Sequence, residues 1–320
     1  MPPRPPAPTV VFGSLNVDST SYVAAFPAPG ETILAHGFRV ALGGKGSNQA
    51  VAAHVAGASV DLVARVGADA SGEFALTTLA AFGVSTDAVM RVADAPTGVA
   101  QITVADSGEN TVIVTGGANL ALTPAVVDAE RARLAGAALV LTQGELPVDT
   151  IERLAAVTAE LGVRFVLNLA PPAPVAAAAL RHCDPLVLNE HEARAVGIGT
   201  DAPMGATLDE WRAIAASAVG VVARSVVVTL GAAGAVAASA DGSWTAPAPR
   251  VTAVDTTGAG DGFTGTLAAF LAEGRPLDDA VRIAVAAGAL AVQARGTVDS
   301  YSPRAAVLAA AGLGEQAATS

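Results

Sequence analysis

The 320-residue chain contains a single cysteine, Cys183, and a single lysine, Lys45. One cysteine excludes an internal disulfide and a multi-cysteine zinc site, and is consistent with a reducing compartment. Histidine is also scarce. His36, His54, His182 and His191 show neither H-x-x-x-H nor carboxylate spacing for a metal, which argues against zinc catalysis. No G-x-S-x-G or comparable nucleophile context is present, so that class of hydrolase is set aside. The formal net charge of −11 is spread along the chain without a basic cluster, which argues against a nucleic-acid partner. Long apolar runs are missing too. Although 52% of the residues are hydrophobic and the mean hydropathy is +0.50, the longest run, Ile283 to Ala294, falls short of the roughly 18 residues that span a bilayer. Residues 1 to 8, Met-Pro-Pro-Arg-Pro-Pro-Ala-Pro, lack the apolar stretch of a secretory signal and predict an extended, disordered tail. The expectation is a soluble, cytoplasmic protein with no membrane partner, its last residues, 315 to 320, frayed.

What is present is concentrated in two glycine-rich stretches. The first is Gly43-Gly44-Lys45-Gly46-Ser47-Asn48, which runs into the Ala/Val-rich helical segment Gln49 to Ala56 and holds the only lysine among 18 basic residues. That lysine offers a compact ammonium on a long stem, unless its survival is chance in an arginine-biased chain. The second is Asp255-Thr256-Thr257-Gly258-Ala259-Gly260-Asp261-Gly262-Phe263, which opens another apolar helical segment. A glycine-rich turn that opens a helix directs unpaired backbone N–H groups and the positive end of the helix dipole at one spot, suited to a transferring phosphoryl group. Asp261 beside that spot competes with the anion for the same donors. Its obvious task is to take a proton from an attacking hydroxyl. Neither stretch is a Walker A loop or a G-x-G-x-x-G fingerprint.

The rest of the chain reads as α/β. Thr9 to Ser14 predicts a first strand, followed by Asn16 and Asp18. Their period of two puts an amide and a carboxylate on one face of an extended segment, although a turn Asn and a cap-like Asp fit the spacing equally well. Two hairpins interrupt the alternation, one with its connection at Phe26 to Glu31 and one formed by Thr97 to Ala105 and Asn110 to Thr115. They read as a small sheet over a cleft, or else as extra edge strands of the main sheet. Strands and helices then alternate: helix Pro124 to Leu134, strand Ala137 to Leu141, helix Pro147 to Leu161, strands Val163 to Leu167 and Pro185 to Leu188, helix Thr207 to Val219, strand Ser225 to Leu230, and a late antiparallel pair. Gln143-Gly144-Glu145, Asn168 and Asn189-Glu190-His191-Glu192 recur just past strand carboxyl ends, where open α/β sheets bind ligands. No internal repeat or long linker appears, so residues 9 to 314 are expected to form one domain.

The two glycine signatures, in this order and at this separation, resemble those of the ribokinase-like family of sugar and nucleoside kinases, the phosphofructokinase-B type. The likeness covers residues 9 to 304. It extends to Gly13-Ser14-Leu15-Asn16-Val17-Asp18, Phe26 to Thr32, Thr97-Gly98-Val99-Ala100, Leu167 to Pro171 and Asn189-Glu190-His191-Glu192, segments similar to those of members that act on D-ribose. The resemblance implies a three-layer, Rossmann-like central sheet flanked by helices, with a small β-sheet lid at about 16–42 and 97–115. It also implies transfer of a phosphoryl group from ATP to O5 of D-ribose.

By the same resemblance, Asp261 is the catalytic base, and Gly258, Ala259 and Gly260 supply the anion hole. Asn16, Asp18, Gly44, Lys45, Asn48, Glu145 and Asp261 hold the sugar; Asn189, Thr229, Gly231 and Gly260 lie on the ATP side. Glu192 orders Mg2+ through its waters. Asp255, the carbonyls of Thr257, Val292, Arg295 and Gly296, and the Ser300 hydroxyl hold an activating K+. A homodimer through the lid is implied as well. The chain departs from the family's usual pattern at Val285, where many members carry His near the adenine, and at Gly144, where a larger apolar residue commonly precedes the acid. Deoxyribose, fructose and nucleosides remain alternative acceptors, as does a non-catalytic sugar sensor. The sensor would be expected to lack Asp261 or a signature glycine, and a nucleoside kinase would need an aromatic lid surface.

Overall fold

The computed structural model describes residues 7–314. Of the Pro-rich tail expected over residues 1–8, residues 1–6 lie outside the described residues, as does the expected frayed end, 315–320; Pro8 is described, its carbonyl accepting from Ala138 N–H at 2.9 Å. Along the chain the strands are β1 (Thr9–Phe12), β2 (Asn16–Val23), β3 (Gly37–Gly43), β4 (Val60–Gly67), β5 (Val89–Val92), β6 (Gly98–Ala105), β7 (Asn110–Thr115), β8 (Leu139–Gln143), β9 (Arg164–Asn168), β10 (Cys183–Asn189), β11 (Val226–Thr229), β12 (Gly234–Ser239) and β13 (Gly242–Pro247). Nine of them form one sheet in the order β13-β12-β11-β10-β9-β8-β1-β4-β5, parallel from β11 to β5 and closed at one edge by the antiparallel pair β12 and β13. The other four form a second sheet, β3-β2-β6-β7.

Each central strand is apolar on both faces, and alternation divides its residues between two cores. Val11, Leu62, Leu139, Leu141, Val166, Val187 and Val227 face one core, packed by helices that include Lys45–Val55, Ala259–Ala272 and Leu277–Ala291. Val10, Phe12, Val63, Val140, Phe165, Leu186 and Val226 face the other, where Ile151, Leu154 and Trp211 come from helices Val148–Leu161 and Leu208–Ala218. This three-layer arrangement agrees with the expected architecture, including its smaller second sheet.

One expectation is met in detail and two differ. The two expected hairpins form the expected small sheet, joined by parallel pairing of β2 with β6, and not extra edge strands of the main one. The helix expected at Pro124 to Leu134 is two short helices, Pro124–Ala129 and Arg131–Ala135, meeting at Glu130. The polar run after β10 is a helix, Glu190–Ala195, started by a capping box in which Asn189 and Glu192 bond each other's backbone.

Candidate active site

The small sheet delivers its polar residues to the carboxyl edge of the large one. Alternation puts Asn16 and Asp18 on one face of β2, and register sets small residues beside them: Gly43 and Gly98 opposite Asn16, Ala41 and Ala100 opposite Asp18. The glycines are needed because the functional side chains lie across them. A Cβ on Gly43 would stand 2.0 Å from the Asp18 carboxylate, and one on Gly98 2.1 Å from Asn16 Oδ1. Asn119 fixes Asn16 by donating Nδ2–H to its Oδ1 at 2.7 Å, while its own Oδ1 accepts from the Leu15 N–H at 2.9 Å.

The first turn of helix Lys45–Val55 rests on the β1–β2 connection backbone against backbone, since a Cβ on Gly46 would come within 2.5 Å of Gly13 and Ser14 main-chain atoms. Glu145, two residues past the end of β8, pins this junction. Its Oε2 accepts from the Ser14 hydroxyl at 2.5 Å and from the Lys45 N–H at 3.0 Å.

Asp261 lies in the first turn of helix Ala259–Ala272 and is only 6% exposed. Both of its oxygens are held by the facing helix: Oδ2 accepts from Asn48 Nδ2 at 3.0 Å and Oδ1 from Gln49 Nε2 at 2.9 Å. The two helices approach this closely because their contacts are small; a Cβ on Gly265 would be 2.4 Å from the Gln49 carbonyl oxygen. Gln49 is held in turn. Its Nε2 also donates to Asn168 Oδ1 at 2.9 Å and its Oε1 accepts from Gln143 Nε2 at 2.9 Å, so strand ends β8 and β9 set the carboxylate's orientation.

The ionisable groups here sense one another. Burial first, then the Glu145 and Asp261 carboxylates, push the Asp18 pKa up to about 6. Lys45 moves the same way for the opposite reason: the Asp261 carboxylate, aided by Glu145 and Glu192, outweighs burial and raises its pKa, which favours the ammonium. Glu192 is raised by burial, against the Asn189 N–H bond and the nearby Lys45.

At the second glycine signature, Gly258 sits in the left-handed region at φ 73°, which turns the chain into the helix. The first-turn N–H groups there have no intrahelical carbonyl, and Ala259 N–H makes only a long turn bond of 3.3 Å to Thr256. Tyr301 supports the turn from below, donating its hydroxyl to the Gly258 carbonyl at 3.0 Å. Asp255 stitches the signature to the later loop by accepting from Thr257 N–H and Gly296 N–H, each at 2.9 Å. Burial alone would raise its pKa, but those bonds and the neighbouring Arg39 charge hold it below the usual carboxylate range.

Of the set expected to hold a monovalent cation, Thr257, Val292 and Gly296 are tied to Asp255 by backbone hydrogen bonds, and the carboxylate and carbonyls offer only oxygen, as a hard cation requires. Ser300 donates its proton to Thr297 O at 2.6 Å, which leaves hydroxyl lone pairs free. Val292 is the least suited, because its carbonyl already accepts from Val254 and Asp255. Glu192, the residue expected near Mg2+, binds the Asn189 N–H through Oε2 at 2.7 Å and retains Oε1 for a metal-bound water. Asn189 is less available, since its Oδ1 caps the helix.

A cavity of about 620 Å3 opens beside Gly260, lined by Thr229, Gly231, Phe263, Val285, Ala289 and Val292 among others. The departure at Val285 falls in this lining. Asn48, Lys45, Glu145, Asn16, Asp18 and Asp261 thus gather on one side of the helix start, and Thr229 and Gly231 line the cavity on the other. Reading the sequence did not assign roles to Gln49, Asn119 or Tyr301. Gln143 and Asn168 were noticeable only as polar residues at strand ends. Gln49 adjoins the first signature, but nothing local marks Asn119 or Tyr301, whose partners lie 103 and 43 residues away.

Comparison with known proteins agrees with this architecture. The family profile described as pfkB family carbohydrate kinase matches residues 8–304. The ribokinase of Schizosaccharomyces pombe is 37% identical over 299 residues, covering 91% of this chain and 93% of that protein. The deoxyribokinase of Salmonella typhi is 34% identical, covering 91% of this chain and 94% of that protein. Among solved structures, Arabidopsis thaliana ribokinase complexed with ribose and ATP superimposes with a TM-score of 0.88 at 31% identity, covering 96% of this chain and 99% of that one.

Proposed function

The chain belongs to the pfkB family of carbohydrate kinases, and we propose that it transfers the γ-phosphoryl group of ATP to O5 of D-ribose. The observation that carries this reading is the Asp261 carboxylate, held by two amide donors between a polyol-type set of side chains and the open N-terminus of helix Ala259–Ala272. ATP spans the helix start, its base in the cavity beside Phe263 and Val285 and its phosphates over Gly258 to Gly260. Asn16, Asp18, Lys45, Asn48 and Glu145 bind the sugar hydroxyls, with Lys45 as donor and the carboxylates as acceptors. The first-turn N–H groups of the helix meet the charge that develops on the transferring oxygens.

In the chemical step Asp261 takes the proton of the O5 hydroxyl while O5 attacks the γ-phosphorus in line; the bond from phosphorus to the β-bridging oxygen breaks and its electron pair leaves with ADP. Glu192 is the residue that would hold Mg2+ through water, and Asp255, Thr257, Gly296 and Ser300 are those that would hold K+. These ions would offset phosphate charge and support the anion hole.

The lid closes over the sugar and excludes water, limiting hydrolysis of ATP. Around Asp18 its site face carries only small neighbours, which suits a bare sugar. Asp18 is flanked by Ala41 and Ala100, and Phe38, at odd spacing from Ala41, projects from the opposite side; the one aromatic residue of the four strands on the Asp18 face is Tyr22, opposite Gly37 at the far end of β2. Phe38, Val40 and Ile113 share that outer face by register and are 67%, 43% and 65% exposed. An apolar outer face supports a homodimer through the lid. Among the described residues no helix is long and apolar enough to cross a membrane.

Purified protein given ATP, Mg2+ and K+ with D-ribose, 2-deoxy-D-ribose, D-fructose or a nucleoside tests the reading by ADP release. D-ribose should give the highest kcat/KM and D-ribose 5-phosphate as product. Higher kcat/KM with deoxyribose would move the assignment to that sugar, and no ADP release with any acceptor would sink it.

A further inference from the structure

The small sheet touches the rest of the molecule at a second place, away from the sugar-side residues. Strand β3 is its edge strand, and alternation puts Arg39 on the same face as Ala41, the residue paired with Asp18. From there Arg39 crosses to the turn that follows the last long helix: its Nη2 donates to Asp299 Oδ2 at 2.9 Å. Its guanidinium also lies over Gly296, where a Cβ would come within 2.6 Å of Nη2. Gly296 is the residue whose N–H bonds Asp255, and Asp255 bonds Thr257 at the start of the second signature. A cavity of about 170 Å3 lies beside the ion pair, lined by Val40, Leu42, Phe74, Thr78 and Val298 among others. Beside that space the ion pair joins the lid to the turn near the surface, while beneath it Leu42 of the lid and Val298 of the turn are buried in one apolar cluster.

We infer that Arg39 is a positioning residue that couples the lid, and so sugar binding, to the loop that orders the anion hole. The inference rests on the proposed lid closure over a sugar. A planar guanidinium can bond Asp299 and cover the Gly296 backbone at once, which a lysine ammonium does less well. An exposed ion pair contributes little to global stability. It can still bias a two-state element, since a small differential contact shifts a balanced equilibrium. Loss of the pair should therefore loosen the 295–300 turn and leave the fold intact.

Hydrogen exchange followed peptide by peptide, with and without saturating D-ribose, tests this. In the wild type the sugar should slow exchange both in Asn16–Val23 and in residues 294–301. In Arg39→Ala the first protection should persist and the second should be lost, with the half-activating K+ concentration raised about tenfold and kcat at saturating K+ changed less than threefold. Asp299→Asn, which keeps the side chain's shape, should act in the same direction; Arg39→Lys should restore part of the protection; and the double variant should be no worse than Arg39→Ala alone. Wild-type protection of 294–301 in Arg39→Ala would overturn the coupling and leave the kinase reading standing. Failure of any pentose to protect the wild-type lid would remove both.

Discussion

Asp18 offers a test in which stability and function oppose each other. Its carboxylate is partly buried beside Glu145 and Asp261, and its pKa rises from 3.8 to about 6. No protein donor bonds the carboxylate among the described residues. A raised carboxyl pKa means that the folded chain holds the proton more tightly than the unfolded chain does. Stability is therefore lost as pH climbs from the unfolded value through the folded one. At about 1.4 kcal/mol per pH unit the full effect is about 3 kcal/mol against the sugar-free protein at neutral pH, and about 1.4 kcal/mol of it develops between pH 5 and 7.5. Asp18→Asn removes the titration while keeping the shape. Urea unfolding of both proteins at several pH values should show the variant gaining on the wild type by up to about 3 kcal/mol at pH 7.5 and by about half that at pH 5. In the same variant D-ribose affinity should fall by about 10- to 100-fold, the loss expected for a charge-assisted hydrogen bond of about 1.5–3 kcal/mol. A stability difference that stays flat from pH 5 to 7.5 would refute the assignment of strain to the Asp18 charge. Unchanged sugar affinity would remove Asp18 from the acceptor site.

Asp261→Asn should lower kcat by about 10²- to 10⁴-fold, the range for loss of a general base, with D-ribose affinity within a few-fold by calorimetry; lost binding with residual turnover would assign Asp261 the wrong role. The same variant turns an amide toward the donors of Asn48 and Gln49 and should lose about 1–3 kcal/mol of stability in urea titrations. Gly46→Ala meets backbone rather than a movable side chain, so unfolding measurements should show it destabilised by about 1–3 kcal/mol, with sugar affinity reduced because Asn48 and Lys45 shift with the turn. Tyr301→Phe removes one of two donors to the Gly258 carbonyl, the other being Gly262 N–H; steady-state kinetics should show kcat reduced two- to tenfold, a change of about 0.4–1.4 kcal/mol in barrier, and an unaltered D-ribose KM.

The parts of this fold that could be read from sequence are those that repeat or puncture a local pattern. Runs of β-branched residues such as those of β1 and β11 announce strands because both faces are buried, and the glycine entries announce helix starts because only unpaired N–H groups and small residues suit an anion. Pairing between distant segments leaves no such trace. The parallel register of β2 with β6 joins Asn16 to Gly98 across 82 residues, and neither strand's composition specifies its neighbour. The same holds for side chains whose purpose is to orient others. Asn119 and Gln49 are ordinary polar residues until the fold brings Asn16 and Asp261 to them. Asn189 and Glu192 show the converse. Their spacing suits a metal-side element, yet it is also the spacing of a capping box, and the structure uses both side chains for that.

The charges at the site explain why one lysine is kept there. Asp18, Glu145, Asp261 and Glu192 lie near enough to Lys45 or to one another to shift each other's protonation, so four carboxylates are set against one ammonium. A phosphoryl donor adds further negative charge to the same cleft, in a chain whose net charge is already −11. Attraction must then be local: the first-turn N–H groups of helix Ala259–Ala272, the Lys45 ammonium and whatever cations accompany the nucleotide. Lys45 feels Asp261, Glu145 and Glu192 together, and Asp261 is the first cause of its raised pKa. Replacing it with a neutral residue would leave like charges facing each other. Acceptor binding and donor binding should therefore fall together in Lys45→Met, whereas Asn48→Ala, which removes a neutral donor, should weaken the acceptor alone.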